Sequence, residues 1–179
     1  QRILDAATKL FEQRGFAGTS IRDLAVLCGM TKAALYYHFP SKEEVLQALI
    51  TPFLDDVDRI VAATAAGQWS RAELVTRLIT QMNERGEFLT AVLSDPSVKH
   101  TMFDRLGMND RIERLLRVLA GSDEPAALLR GRCAMGALMS GLLHHQSPGQ
   151  PGPMLSTDEQ NVVCAAVLAV LDSEDPVRA

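Results

Sequence analysis

Between Asp23 and Glu43 the chain carries Thr31, Lys32, Ala33, Tyr36, Tyr37, His38 and Lys42, and no carboxylate at all. A hydroxyl, two ammonium groups, two phenols and an imidazole can each donate a hydrogen bond to a phosphate oxygen. Small side chains such as Ala33 let a helix approach base edges closely. A surface meant for phosphates has to lack acids locally. Charge further away matters less, because salt screens it beyond about 8–10 Å. The chemistry open to this cluster is recognition of a polyanion.

Covalent chemistry has no comparable cluster. His144 and His145 are neighbours, which on a helix points them about 100° apart. Neither H-x-x-x-H nor H-E-x-x-H occurs, and G-x-S-x-G, a phosphate-binding glycine loop and a paired-carboxylate signature are equally absent from the sequence. Cys28, Cys133 and Cys164 form no C-x-x-C. The expectation is a protein without catalytic residues, metal or cofactor. An odd number of cysteines fits reduced thiols and a cytoplasmic location. No uncharged apolar run reaches the roughly 18 residues of a membrane span, so no membrane partner is expected.

The chain has 179 residues, of which 47% are hydrophobic and 22% charged. That composition excludes a disordered chain and leaves ample apolar material for a core. The formal net charge is -4, which at first sight argues against a nucleic-acid partner. The charge is unevenly placed, however. Residues 1–50 carry a net +1 and the remainder a net -5.

The elements that must position the cluster follow a helical period. Ile3, Ala7, Leu10 and Phe11 share one apolar face of a helix that ends near Arg14-Gly15. Ser20, with Asp23 three residues on, reads as the capped start of a second helix, which buries Ile21, Leu24, Ala25 and Cys28. Gly29 supplies the positive φ of a tight corner. Thr31 then caps a third helix to His38, with Leu35 facing inward. Helix, tight corner, helix is a helix-turn-helix, in which the second helix lies in the DNA major groove and the first crosses the backbone. Ser41 and Glu44 open a fourth helix to about Ala66, which Pro52 either kinks or restarts under a Thr51 cap. Ser70 with Glu73 caps a fifth helix, 71–84. Shorter helices are expected over 86–94, 97–105 and 109–120, a long one from Ser122 to about His145, a linker over 146–155, and a last helix from Ser156 to Leu171. The fold class is all-α.

One set of residues is far more specific than a generic helix pair. It comprises Ile3-Leu4-Asp5-Ala6-Ala7, Leu10-Phe11, Arg14-Gly15-Phe16, Thr19-Ser20-Ile21-Arg22-Asp23-Leu24-Ala25, Gly29-Met30-Thr31-Lys32 and the block Ala34 to Glu43. On these residues the segment 3–46, about a quarter of the chain, resembles the DNA-binding head of the TetR family of bacterial transcriptional regulators. The resemblance implies a DNA-binding domain over 1–46 and an effector-binding and dimerisation domain over 47–179. It also implies operator-DNA contacts by Ser20, Thr31, Lys32, Ala33, Tyr36, Tyr37, His38 and Lys42, with Lys32 and Ala33 facing bases and the others holding phosphates.

Two late segments are uncharged, Cys133–Leu143 and Val162–Leu171. Helices apolar on nearly every face have to be buried on nearly every face, which here points to packing against a second copy. Gly136, Ala137, Ser140 and Gly141, with Val163, Val167 and Val170, are the candidates for that homodimer interface. The resemblance further implies an effector pocket within residues 60–145, for which Trp69, Met82, Phe88, Met102, Phe103, Met135, Met139 and His144 are candidate lining residues. Adaptable methionines suit a small apolar or amphipathic molecule. The functional expectation is a repressor that leaves its operator when the effector binds. A role as activator stays open, as do a helical sensor or partner-binding protein without DNA binding and an enzyme.

Overall fold

The computed structural model describes residues 1–93, 95–98, 105–143 and 154–173. Among these residues every regular element is helical, as the periodicity predicts. The helices are α1 (Arg2–Arg14), α2 (Ile21–Leu27), α3 (Lys32–His38), α4 (Lys42–Ala65), α5 (Arg71–Glu84), α6 (Gly86–Leu93), α7 (Met108–Ala120), α8 (Pro125–Leu143) and α9 (Thr157–Leu171).

Three helix starts use the capping boxes legible in the sequence. Ser20, Ser70 and Ser156 accept the amides of Asp23, Glu73 and Glu159, and those carboxylates accept the cap residue's amide in return. Each box satisfies two amides that a helix start leaves without partners.

Elsewhere the structure corrects the sequence reading. The helix expected to open at Ser122 begins at Pro125. Ser122 Oγ accepts the Glu124 amide at 3.0 Å, and the proline takes the first helical position, where a missing N–H does no harm. Pro52 does not restart α4. Thr51 is no cap: its hydroxyl donates back to the Gln47 carbonyl at 2.7 Å within a helix that continues to Ala65. The helix expected over 97–105 is described only at 97, 98 and 105, and the linker over 146–155 only at 154 and 155.

The chain forms two compact units. The first contains residues 1–55 and 87–108, and the second contains 56–86, 109–145 and the stretch from 153 onward. In the first, α1 and α3 both pack on α2, and Phe11, Leu24, Leu35, Leu46 and Ile50 are fully buried. Burying such a side chain stabilises by roughly 1.5–3 kcal/mol. In the second unit α8 and α9 pack along each other and α5 packs on both, over a core that includes Leu74, Leu78, Leu138 and Val167. Asn83 anchors the approach to α9, donating to the Leu155 carbonyl at 3.1 Å and accepting its amide at 2.8 Å.

The corner between α1 and α2 is unusually tight. A Cβ at Gly18 would lie 2.2 Å from the Arg14 carbonyl oxygen, which is backbone and cannot swing away. We expect Gly18→Ala to destabilise the protein by about 2 kcal/mol and to lower Tm by roughly 4–8 °C, as read by thermal unfolding. A Tm equal to that of the parent chain would show that the corner has room after all.

Candidate nucleic-acid interface

The candidate contact helix is built from the turn outward. α2 closes on Cys28, which is buried, and the chain reverses at Gly29, whose φ is 61°. The Gly29 amide donates to Val26 O and the Met30 amide to Ala25 O, both at 3.0 Å, so the last carbonyls of α2 are satisfied. Thr31 then starts α3, its hydroxyl accepting the Ala34 amide at 3.1 Å.

One residue of α3, Leu35, is fully buried. Thr31, Lys32, Ala33, Tyr36, Tyr37 and His38 are all exposed, and Tyr37 keeps 87% of its surface in solvent. Lys32 Nζ lies 5.5 Å from the centre of the Tyr36 ring, and the Tyr37 and His38 rings meet edge to face at 5.6 Å. The hydroxyls, cation and imidazole are thus brought together on one uncovered helix, as the sequence predicts. The outer surface of α2 adds two apolar side chains that sequence reasoning missed, Val26 at 73% and Leu27 at 52% exposure. The alternation of buried and exposed positions on so short a helix gave no warning of them.

Two expected phosphate holders are otherwise engaged. The Ser20 hydroxyl donates to the Asp23 carboxylate while accepting the Asp23 amide, which uses its one hydrogen inside the capping box. The hydrogen bond from the Ser20 hydroxyl, and after it the one from the Ser20 amide, hold the Asp23 carboxyl below its ordinary value. Lys42 is half-buried and turned toward its own chain. Its Nζ donates to the carbonyls of Phe16 at 2.6 Å and Thr19 at 2.9 Å, and sits 4.1 Å from the centre of the Phe16 ring. Burial pushes its ammonium below the usual lysine value, against the opposing influence of Glu43 and Asp95.

Asp95, which reads in the sequence as loop punctuation before Pro96, is the residue that was overlooked. Its carboxylate accepts the Ala17 amide at 2.6 Å and, on the other oxygen, the amide and hydroxyl of Ser97 at 2.9 and 2.6 Å. Desolvation pushes this carboxyl up. The hydrogen bonds from Ser97 and Ala17, with the charge of Lys42, outweigh it and hold the group below its ordinary value.

Of the candidate effector residues, Met102, Phe103 and His144 lie outside the described residues. Phe88 belongs to the first unit and is half-buried, whereas Trp69, Met82, Met135 and Met139 belong to the second. Trp69 lies on a groove of ≈ 390 Å³ that also presents Asp56, Arg59, Arg77 and Glu84. Arg77 stacks on its indole at 3.9 Å, so this groove is more polar than the pocket the sequence led us to expect. Met82 is buried, and Met135 and Met139 are half-buried on α8.

The candidate dimer residues divide between two roles. Gly136 and Ser140 are exposed, and Ala137 and Val170 are half-exposed. Val167 is buried within one chain, and Gly141 closes on Val163, whose Cγ2 would lie 2.9 Å from an added Cβ. Gly141, Val163 and Val167 therefore serve the packing of α8 on α9. The uncovered apolar positions are Leu129 on α8 and Val162, Ala165, Ala166 and Ala169 on α9.

A short helix-turn-helix head that displays an acid-free helix, in a chain whose other described elements are all helical, defines an all-α helix-turn-helix architecture. Residues 3–49 match the description of bacterial regulatory proteins, tetR family. The chain is 35% identical over 101 residues to the HTH-type transcriptional repressor KstR2 of Rhodococcus jostii, a match covering 55% of this chain and 49% of that protein. It spans half or less of the length of these curated relatives. Its fold is similar to the TetR-family transcriptional regulator PfmR of Thermus thermophilus, with a TM-score of 0.66 at 26% identity over 98% of this chain and 100% of that one. It is also similar to the ketosteroid transcriptional regulator KstR2 of Mycobacterium tuberculosis, with a TM-score of 0.67 at 21% identity over 94% of this chain and 91% of that one. Residues 3–49 thus match the TetR-family model, and the fold is similar to that of TetR-family regulators.

Because α3 depends on its cap, Thr31→Ala should lower stability by about 1 kcal/mol in denaturant unfolding. Thr31→Ser, which restores the acceptor oxygen, should recover most of it. Equal losses for both variants would show that the hydroxyl does not cap the helix.

Proposed function

We propose that this protein is a cytoplasmic DNA-binding transcriptional repressor that acts as a homodimer and leaves its operator when a small apolar or amphipathic molecule binds its body. The observation that carries this reading is α3 itself. A helix anchored by Leu35 presents Thr31, Lys32, Ala33, Tyr36, Tyr37 and His38 to solvent in a stretch without a carboxylate. In a major groove, Lys32 and Ala33 near the helix start reach base edges while the phenols and imidazole reach phosphates. Ala33 presents a methyl that suits contact with a thymine methyl.

A second copy suits the uncovered face of α8 and α9. Leu129, Val162, Ala165, Ala166 and Ala169 leave apolar surface in water, and Gly136 and Ser140 allow close approach of another helix. Two heads also double the phosphate contacts, which matters for a chain whose net charge is -4. In the mechanism we infer, effector binding favours a dimer whose heads no longer match two half-sites about 34–36 Å apart or a multiple of it. By linkage, operator DNA lowers effector affinity by the same factor.

The DNA-binding reading is checked by fluorescence anisotropy on a duplex enriched from a random-sequence pool. Tyr37→Ala and Lys32→Ala should each weaken binding by about tenfold, a loss in the range of one base or phosphate contact. Parent-like affinity for both would contradict it. The dimer is checked by sedimentation. Val162→Glu combined with Ala166→Glu should turn a dimer into a monomer, because two carboxylates would be buried without partners. A parent chain that is monomeric at micromolar concentration would refute the assembly.

A further inference from the structure

Lys42 and Asp95 both hydrogen-bond the backbone of the α1–α2 corner, over residues 16–19. Phe16 and Thr19 offer their carbonyls to the Lys42 ammonium, and Ala17, lying between them, offers its amide to the Asp95 carboxylate. A cation on carbonyl oxygens and an anion on an amide hydrogen are the two favourable charge-assisted pairings for peptide groups. The corner is otherwise closed by Thr19, which is buried and donates to Gly15 O at 2.9 Å and Leu10 O at 3.2 Å. Phe16 is buried beneath it, its ring 5.3 Å from that of Phe11.

The corner matters because it leads directly into the helix-turn-helix. Ser20 is the next residue and the cap of α2, and α2 carries α3 through the turn at Gly29. The direction in which α3 presents its exposed face therefore depends on where residues 16–19 are held. Lys42 comes from the start of α4 and Asp95 from the segment after α6, 78 residues along the chain from Ala17. Asp95 is fixed in turn by Ser97, so its carboxylate is oriented before it meets Ala17.

We propose that Lys42 and Asp95 form a charge clamp on the α1–α2 corner that positions α3 for DNA. Lys42 then acts by holding the corner and not by contacting a phosphate, and Asp95 sets DNA affinity without touching DNA. This inference rests on the regulator reading for its effect on DNA, while the clamp itself is testable without DNA. Both are positioning residues.

The salt dependence of binding separates holding from contacting. A lysine on a phosphate releases a counterion, and its removal lowers the slope of log affinity against log salt by about 1. A lysine on its own backbone leaves the slope as it was. On a duplex enriched from a random pool, Lys42→Met should weaken binding by about tenfold with the slope unchanged. Asp95→Ala should weaken it by a similar factor, again at constant slope, and Asp95→Asn, which keeps an acceptor oxygen, should recover most of the loss. A slope that falls by about 1 in Lys42→Met, or parent-like affinity in Asp95→Ala, overturns the proposal.

A second measurement uses the full chain without DNA. The Ala17 amide should exchange with solvent faster in Asp95→Ala than in the parent, while amides of α8 and α9 keep their rates. Unchanged exchange at Ala17 overturns the clamp whether or not DNA binds. If the parent chain enriches no duplex, the regulator reading fails separately, and the exchange rate alone decides the clamp.

Discussion

A helix of seven residues cannot hold itself in water, where isolated helices shorter than about 12–15 residues are marginal. α3 exists because its environment fixes it at three points. Leu35 is fully buried, Thr31 caps the first turn, and the corner at Gly29 ties the helix to α2. The rest of the head serves that constraint. The cores of α1, α2 and α4 bury Phe11, Leu24 and Leu46, and the α1–α2 corner is pinned before α2 begins. With so little of α3 used for packing, almost all of its side chains remain available to a partner.

The charge of the molecule is arranged to the same end. A chain with a net -4 is a poor general binder of polyanions, yet the segment between Asp23 and Glu43 carries no acid. The nearest carboxylate before it, that of Asp23, is occupied by the capping box. An acidic chain whose candidate contact helix carries no acid has little non-specific affinity for DNA to overcome, which suits the proposed search for one operator among many sites. The body contributes surface of another kind. α8 and α9 carry small and apolar residues on their uncovered faces, Gly136, Ser140, Ala165 and Ala169 among them, and charge is absent from Cys133–Leu143 and Val162–Leu171.

What could be read in the sequence was what depends on neighbours in sequence. The capping pairs Ser20–Asp23, Ser70–Glu73 and Ser156–Glu159 work across three residues, so their spacing revealed both helix starts and the partners. Gly29 was legible for the same reason, since a positive φ is a local demand. Exposure along α3 followed from a period around Leu35. The failures lie where the partner is remote. Lys42 looked like a phosphate ligand because nothing near it in sequence announces the Phe16 and Thr19 carbonyls that hold it. Asp95 looked like punctuation because its partner Ala17 is 78 residues away. Val167 and Gly141 read as interface residues because an apolar side chain or a small residue on a helix shows only that the position is closely packed, not by which chain. Ser122 misled locally: it does accept an amide, but Pro125 is the better first residue of a helix.

The central claim is that α2 and α3 meet DNA while the acidic body does not. It is tested most directly by amide exchange across the whole chain, measured with and without a duplex enriched from a random-sequence pool. The account predicts added protection concentrated in residues 20–38, with the amides of α7 and α8 unchanged on their solvent-facing sides. Protection that spares residues 20–38 and falls on the body would contradict it.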